Sequence, residues 1–188
     1  ASGYPFSMNF AQVAADQRWP YFEVVHDYTP VVASTFICQQ QEGSVLMLRQ
    51  GQLESHGRRV AFGVGTGLGL KDAVLTSNGG VWFGENEVGH IGVLNPPSMT
   101  AEKAAVHREF MRFLADDGAL SNKPVSFETI LSGQGFSRCY RFITGSGQVL
   151  SPPQVQSLID AGCAYREQML SFFAWYLGLF VGSLQLTF

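Results

Sequence analysis

The chain has 188 residues, enough for one large domain or two small ones and for a substantial core. Its 12 Lys and Arg against 15 Asp and Glu leave a net charge of −3 with no basic stripe, which argues against nucleic acid as the main partner. The three scattered cysteines, Cys38, Cys139 and Cys163, form no C-x-x-C pair and read as reduced thiols of a cytoplasmic protein, not as a disulfide framework.

Residues 8–17 carry Met8, Ala11, Val13 and Ala14 near helical spacing, with Ser7 as the expected N-cap. Tyr21, Phe22, Val24 and Val25 read as a buried strand that ends at His26-Asp27. Thr29 as N-cap and Pro30 at the first helical position then start a helix running to Gln40. Asp27 therefore falls between a strand's carboxyl end and a helix's amino end, where α/β folds collect ligands and catalytic groups; a simple helix cap competes with that role. Residues 39–44 are a polar break, read as a domain boundary, and residues 45–49 a short strand.

The densest pattern runs from Arg59 to His90. Residues 60–64 are an apolar strand, followed by Gly65-Thr66-Gly67-Leu68-Gly69, a second strand over residues 73–76, the turn signal Asn78-Gly79-Gly80, a third strand Val81-Trp82-Phe83, and the polar loop Gly84-Glu85-Asn86-Glu87-Val88-Gly89-His90. A glycine loop after a strand lets backbone N–H groups approach a phosphate, and Thr66 adds a hydroxyl. The loop matches neither the dinucleotide fingerprint nor the Walker loop, and a glycine turn without a ligand is an even alternative. Residues 91–94 extend the third strand until Asn95-Pro96-Pro97 stops it.

Residues 100–114 form an amphipathic helix with Ala104, Val106, Phe110, Phe113 and Leu114 mostly on one side. A helix from Phe127 is broken at Gly133 and resumes to Phe142. Pro152 or Pro153 opens another, with Val155, Leu158 and Ile159 as its apolar face, and residues 163–188 form a long apolar helix. The last 20 residues carry no charge and are long enough to span a bilayer, but a buried core helix is the expectation. The element order implies a mixed α/β or α+β fold.

Asp27, Glu87, His90 and Glu128 each lie at a strand exit or a helix start, where side chains converge on pockets. Carboxylates accept hydrogen bonds from adjacent hydroxyls and an imidazole adds a donor or acceptor, so the set suits a neutral polyol, with one carboxylate left as general base. A metal is a weaker reading, because no second His stands at helical spacing. Taken singly, each residue also reads as a solvated charge or a satisfied core His.

Four segments in order resemble the bacterial ATP-dependent glucokinase family: Val24-Val25-His26-Asp27-Tyr28-Thr29, Gly63-Val64-Gly65-Thr66-Gly67-Leu68-Gly69, Glu87-Val88-Gly89-His90, and Glu128-Thr129-Ile130-Leu131-Ser132-Gly133-Gln134-Gly135. The resemblance implies an actin-like, ribonuclease H-like sugar-kinase fold, incomplete here, with residues 1–40 from the small α/β domain and 41–188 from the large α+β domain. It implies transfer of the ATP γ-phosphate to the 6-hydroxyl of glucose by the parent protein, with Mg²⁺ accompanying the nucleotide. It makes Asp27 the catalytic base, His26, Glu87, His90 and Glu128 the sugar ligands, and Gly65, Thr66 and Gly67 the second phosphate loop, and it suggests a homodimer. His26 stands where the family has Asn, and Val88 where it has Gly. The family's first phosphate loop and its later adenosine-lining Gly-Gly segment have no counterpart in this sequence, so weak or absent turnover by this stretch alone is expected. A sugar-binding or regulatory module that retains the pocket without phosphotransfer is the alternative reading.

Overall fold

A computed structural model describes residues 8–37, 46, 48, 51, 54, 56–95, 99–120 and 123–187. The organising element is an antiparallel sheet in the order β1 (Arg59–Val64), β2 (Leu68–Leu75), β3 (Val81–Phe83). β1 and β2 pair with Val64 opposite Leu68 and Gly63 opposite Gly69. The predicted glycine loop over residues 65–69 is thus shorter than expected: Leu68 and Gly69 belong to β2, and only residues 65–67 turn the hairpin. Asn78-Gly79-Gly80 turns the second hairpin with Gly79 at φ 83°, the left-handed conformation that favours glycine.

Side chains alternate across the sheet, and each face packs against helices. On one face, Val60, Phe62, Leu68 and Leu70 join the main core. On the other, Ala61 and Ala73 pack with Val32 of α2 (Tyr28–Ser34). The Tyr28 ring, one turn before Val32, lies against the backbone of Gly63 and Gly69, and a Cβ on either glycine would collide with it. Four helical residues rise about 6 Å and two strand residues about 6.8 Å, so Tyr28 seats on the Gly63–Gly69 pair while Val32 reaches Ala61 and Ala73 further along the same face.

The main core is helical. α3 (Ala101–Ala115), α4 (Phe127–Ile130), α5 (Gly133–Thr144), α6 (Pro152–Asp160) and α7 (Arg166–Thr187) surround Phe110, Phe127, Tyr176 and Phe180, all fully buried. Phe110 meets Phe142, Phe172 and Tyr176 with ring centroids 4.9, 5.0 and 5.5 Å apart. Caps set the helix limits: Thr100 accepts from Lys103 N at α3, Ser132 from Gly135 N at α5, and Ser151 and Gln154 form a capping box ahead of Pro152 at α6. α7 is long and apolar enough to cross a membrane by length and composition, and here its Met169, Tyr176, Phe180 and Leu184 are buried in the core.

Several local expectations need correction. Residues 21–25 belong to no helix or strand, and Tyr21, Val24 and Val25 are 75, 62 and 52% exposed. Strand propensity is realised only where a neighbour supplies ladder partners, and none does so among the described residues. α1 (Phe10–Asp16) is capped by Asn9; Ser7 lies outside the described residues. α2 starts two residues earlier than expected, at Tyr28 with Asp27 as its cap instead of at Pro30 with Thr29, and ends at Ser34; residues 38–45 lie outside the described residues. Of the expected strand at 45–49, only Leu46 and Leu48 are described, and neither is in a strand. Residues 91–94 do not extend β3; Gly92 instead makes an isolated bridge to Ser126. The break near Gly133 falls at Leu131-Ser132, because Ser132 caps a new helix that Gly133 begins. Leu158 and Val106, expected on apolar faces, are over a third exposed.

Candidate functional site

The hairpin tip is bolted down from two directions. Gly65 N–H donates to Gly67 O at 2.9 Å, and Gly65 O accepts from Gly133 N–H at 2.7 Å, tying residues 65–67 to the amino end of α5. Below the tip, Leu68 N–H donates to Glu128 Oε2 at 3.0 Å. Gly67 makes room for this contact, since a Cβ there would stand 2.8 Å from the same oxygen. The N–H groups of Thr66 and Gly67 bond no partner among the described residues. A Cβ on Gly65 would meet nothing within 4 Å, so the tip is an open cradle of free donors of the kind that suits an anion.

His90 stands at the end of a 3₁₀ turn, Val88–His90, and its ring lies between two carboxylates. Nε2 is 3.6 Å from Glu87 Oε2, and Nδ1 is 3.8 Å from Glu128 Oε1. Phe127 N–H donates to Ile91 O at 3.1 Å, and this bond, with the Gly92–Ser126 bridge, sets the His90 segment against the first turn of α4, where Glu128 lies. The carboxylates approach opposite ring nitrogens, so the three groups do not converge on one ion. Among the described residues no cluster of three or more His, Cys, Asp or Glu is placed to hold a metal.

Thr66, His90, Glu128, Ser132, Gln134 and Arg138 line a cavity of about 370 Å³, within the range of small-molecule sites. Arg138 is held there by Asp117 Oδ2 at 3.1 Å and Thr129 O at 3.2 Å. Burial alone would push the Asp117 carboxyl up; the Ala119 N–H and the Arg138 and Arg141 guanidiniums outweigh it and hold the group below its ordinary value. On the other side of the hairpin, Val64, Gly65, Gly133, Phe136, Pro152 and Phe173 line a second cavity of about 460 Å³. The tip thus borders two cavities, with Thr66 lining one, Gly65 the other and Ser132 both. A larger cavity, about 710 Å³, lies between α3 and α7 beside His107 and Trp175 and holds none of the expected site residues.

His26 and Asp27 form a separate pair. Tyr28 N–H lies 3.2 Å from His26 Nδ1 and 3.1 Å from Asp27 Oδ1, and the two side chains are 3.1 Å apart. The Asp27 side chain is 82% exposed, and neither residue lines the 370 Å³ cavity. Both the capping role and an open carboxylate are therefore present at Asp27. The Tyr28 ring on Gly63 and Gly69 connects this pair to the hairpin.

A second polar group escaped the sequence reading. Lys71 Nζ donates to Glu85 Oε1 at 2.7 Å, and Asn86 Nδ2 donates to Asp72 Oδ1 at 2.7 Å, with Arg58 Nε 3.6 Å from the other Asp72 oxygen. The Lys71 hydrogen bond and charge, with a smaller contribution from His26, hold the Glu85 carboxyl below its ordinary value. The available signal was two adjacent charges inside an eight-residue strand otherwise made of Leu, Gly, Ala and Val.

A family model described as Glucokinase matches residues 4–188. The chain is 27% identical over 184 residues to a glucokinase of Saccharophagus degradans, covering 95% of this chain and 53% of that protein. Its fold resembles a glucokinase from an Antarctic psychrotroph with a TM-score of 0.72 at 21% identity, covering 96% of this chain and 53% of that one. It also resembles a glucokinase from Balamuthia mandrillaris in complex with glucose, with a TM-score of 0.56 at 18% identity, covering 68% of this chain and 36% of that one. The chain spans about half the length of the curated relative it matches.

Proposed function

This chain belongs to the glucokinase family and has an incomplete actin-like sugar-kinase fold, and we propose that it carries the sugar side of an ATP-dependent hexose kinase. The observation that carries this reading is the His90 ring between Glu87 and Glu128, with His90, Glu128 and Thr66 of the hairpin tip lining one cavity and Glu87 outside its lining. Two carboxylates and an imidazole accept and donate hydrogen bonds to vicinal hydroxyls, which suits glucose, as does the glucose bound in the Balamuthia relative.

In this reading Asp27 takes the proton of the sugar 6-hydroxyl as that oxygen bonds to the γ-phosphorus and ADP leaves. His26, whose Nδ1 lies 3.2 Å from Tyr28 N and 3.1 Å from Asp27 Oδ1, adds a further imidazole for a sugar hydroxyl. The unpaired N–H groups of Thr66 and Gly67 fit a phosphate, and Mg²⁺ carried by the nucleotide would neutralise phosphate charge. The hairpin tip between two cavities supports an acceptor on the Thr66 side and a nucleotide on the Gly65 side. A division of the chain near residue 40, a cytoplasmic place in glycolysis, no membrane contact and a homodimer complete the reading.

Calorimetric titration of the 188-residue chain with glucose is the test. A saturable isotherm that disappears in Glu87→Ala is expected. Asp27→Ala is expected to abolish phosphorylation by the whole protein. Failure of glucose and all other hexoses to bind refutes the reading; binding without turnover in the whole protein supports the non-catalytic module.

A further inference from the structure

Lys71 and Asp72 are adjacent on β2 and are 3 and 2% exposed. Successive strand residues point to opposite faces, so the two charges leave the sheet on opposite sides. Their partners, Glu85 and Asn86, are also adjacent, in the loop that follows β3. The loop is therefore held from both faces, at Asn86 by a buried carboxylate and at Glu85 through a side chain that is itself 90% exposed. Gly84 N–H donates to Asp72 O at 3.0 Å, and the Asp72 carboxylate occupies the space a Gly84 Cβ would fill, so the grip begins where β3 ends.

Glu87 is the next residue. Immediately after it, Val88–His90 form the 3₁₀ turn, closed by His90 N–H to Glu87 O at 2.9 Å. Glu87 is thus the single residue between a clamped dipeptide and a hydrogen-bonded turn. Buried charges are a costly way to hold a loop, and an apolar pair would do it at less expense of desolvation. Asn86 Oδ1 is moreover buried with no hydrogen-bond partner among the described residues. What the polar clasp supplies, and apolar packing does not, is direction.

We propose that Lys71, Asp72, Glu85 and Asn86 are positioning residues that aim Glu87 and His90 at the sugar. The proposal rests on the hexose reading above and adds to it four residues that touch no substrate. They act through Glu87, by removing the freedom of the chain on its amino side.

The experiment is calorimetric titration of glucose into the 188-residue chain and three variants, with thermal unfolding in parallel. Asn86→Asp sets two carboxylates against each other and is expected to weaken affinity about tenfold, the equivalent of one lost hydrogen bond to a charged group. The double variant Asp72→Asn, Asn86→Asp re-forms the amide-to-carboxylate bond with donor and acceptor exchanged, and is expected to recover most of that loss. Glu85→Ala removes a surface partner of Lys71 and is expected to weaken affinity severalfold in a folded protein; it decides the matter if Asn86→Asp does not fold. A clasp with a structural role only lowers the unfolding midpoint and leaves the affinity of the folded variants unchanged, which overturns the proposal. So does a folded double variant that shows no recovery. A wild-type chain that binds no hexose refutes the sugar site itself and the clasp with it, whereas a binding wild type with fully tolerant variants refutes the clasp alone.

Discussion

Gly67→Ala is a test of how the hairpin tip and the Glu128 carboxylate, proposed above as a sugar ligand, are coupled. Gly67 does not adopt a positive φ, so the backbone accepts alanine without strain. The added methyl instead stands 2.8 Å from Glu128 Oε2, and the carboxylate is the part able to move. Moving it breaks the 3.0 Å bond from Leu68 N–H. A hydrogen bond to a charged group contributes about 1.5–3 kcal/mol, and because the Glu128 side chain is 35% exposed the lower end applies. About 1.5 kcal/mol corresponds to roughly a tenfold change in affinity. Glucose titration of Gly67→Ala is therefore expected to show binding about tenfold weaker, with Glu128→Ala weaker still. The Gly67→Ala, Glu128→Ala double variant is expected to bind no worse than Glu128→Ala, since the methyl then has nothing to displace. Additive losses in the double variant, or unchanged affinity in Gly67→Ala, refute the coupling.

Phe110→Ala removes a fully buried ring that meets Phe142, Phe172 and Tyr176, and should cost about 3–5 kcal/mol in denaturant unfolding; a loss below about 1 kcal/mol contradicts the assigned core. Asp117→Asn leaves Arg138 and Arg141 without their shared carboxylate and should destabilise by about 3 kcal/mol at neutral pH. Because the folded Asp117 carboxyl titrates below its ordinary value near 3.9, its contribution is complete above that pH and fades as pH falls below it. The wild-type and variant stabilities should accordingly converge in acid, and a constant gap across pH 2–7 contradicts the assignment.

Legibility in the sequence followed the range of the interactions. The hairpins of β1, β2 and β3 were readable because turn chemistry is local: Asn78-Gly79-Gly80 specifies its own backbone. The starts of α3 and α6 were readable for the same reason, whereas the start of α5 falls at Gly133, which reads in the sequence as a break. Glu87, His90 and Glu128 were legible as a set through four ordered motifs, and the structure places them around one imidazole. Residues 21–25 misled because their β-branched and aromatic composition describes a side-chain preference, whereas a strand also needs a second strand. The clasp was missed because Lys71 and Asp72 gain meaning only from partners 14 residues away.

The family was visible as a resemblance over four ordered motifs, and the mixed architecture, the glycine loop and the turn at Asn78-Gly79-Gly80 as local spacing and composition. Packing alone brought Gly65 O to Gly133 N–H and Glu128 under the hairpin to Leu68 N–H, and set two cavities beside the tip. It also decided that Tyr28 rests on Gly63 and Gly69, linking His26 and Asp27 to the hairpin. The reason is physical: these contacts join residues some 35 to 70 positions apart, and the backbone donors, small-residue faces and buried charges involved acquire partners only when the sheet and helices pack.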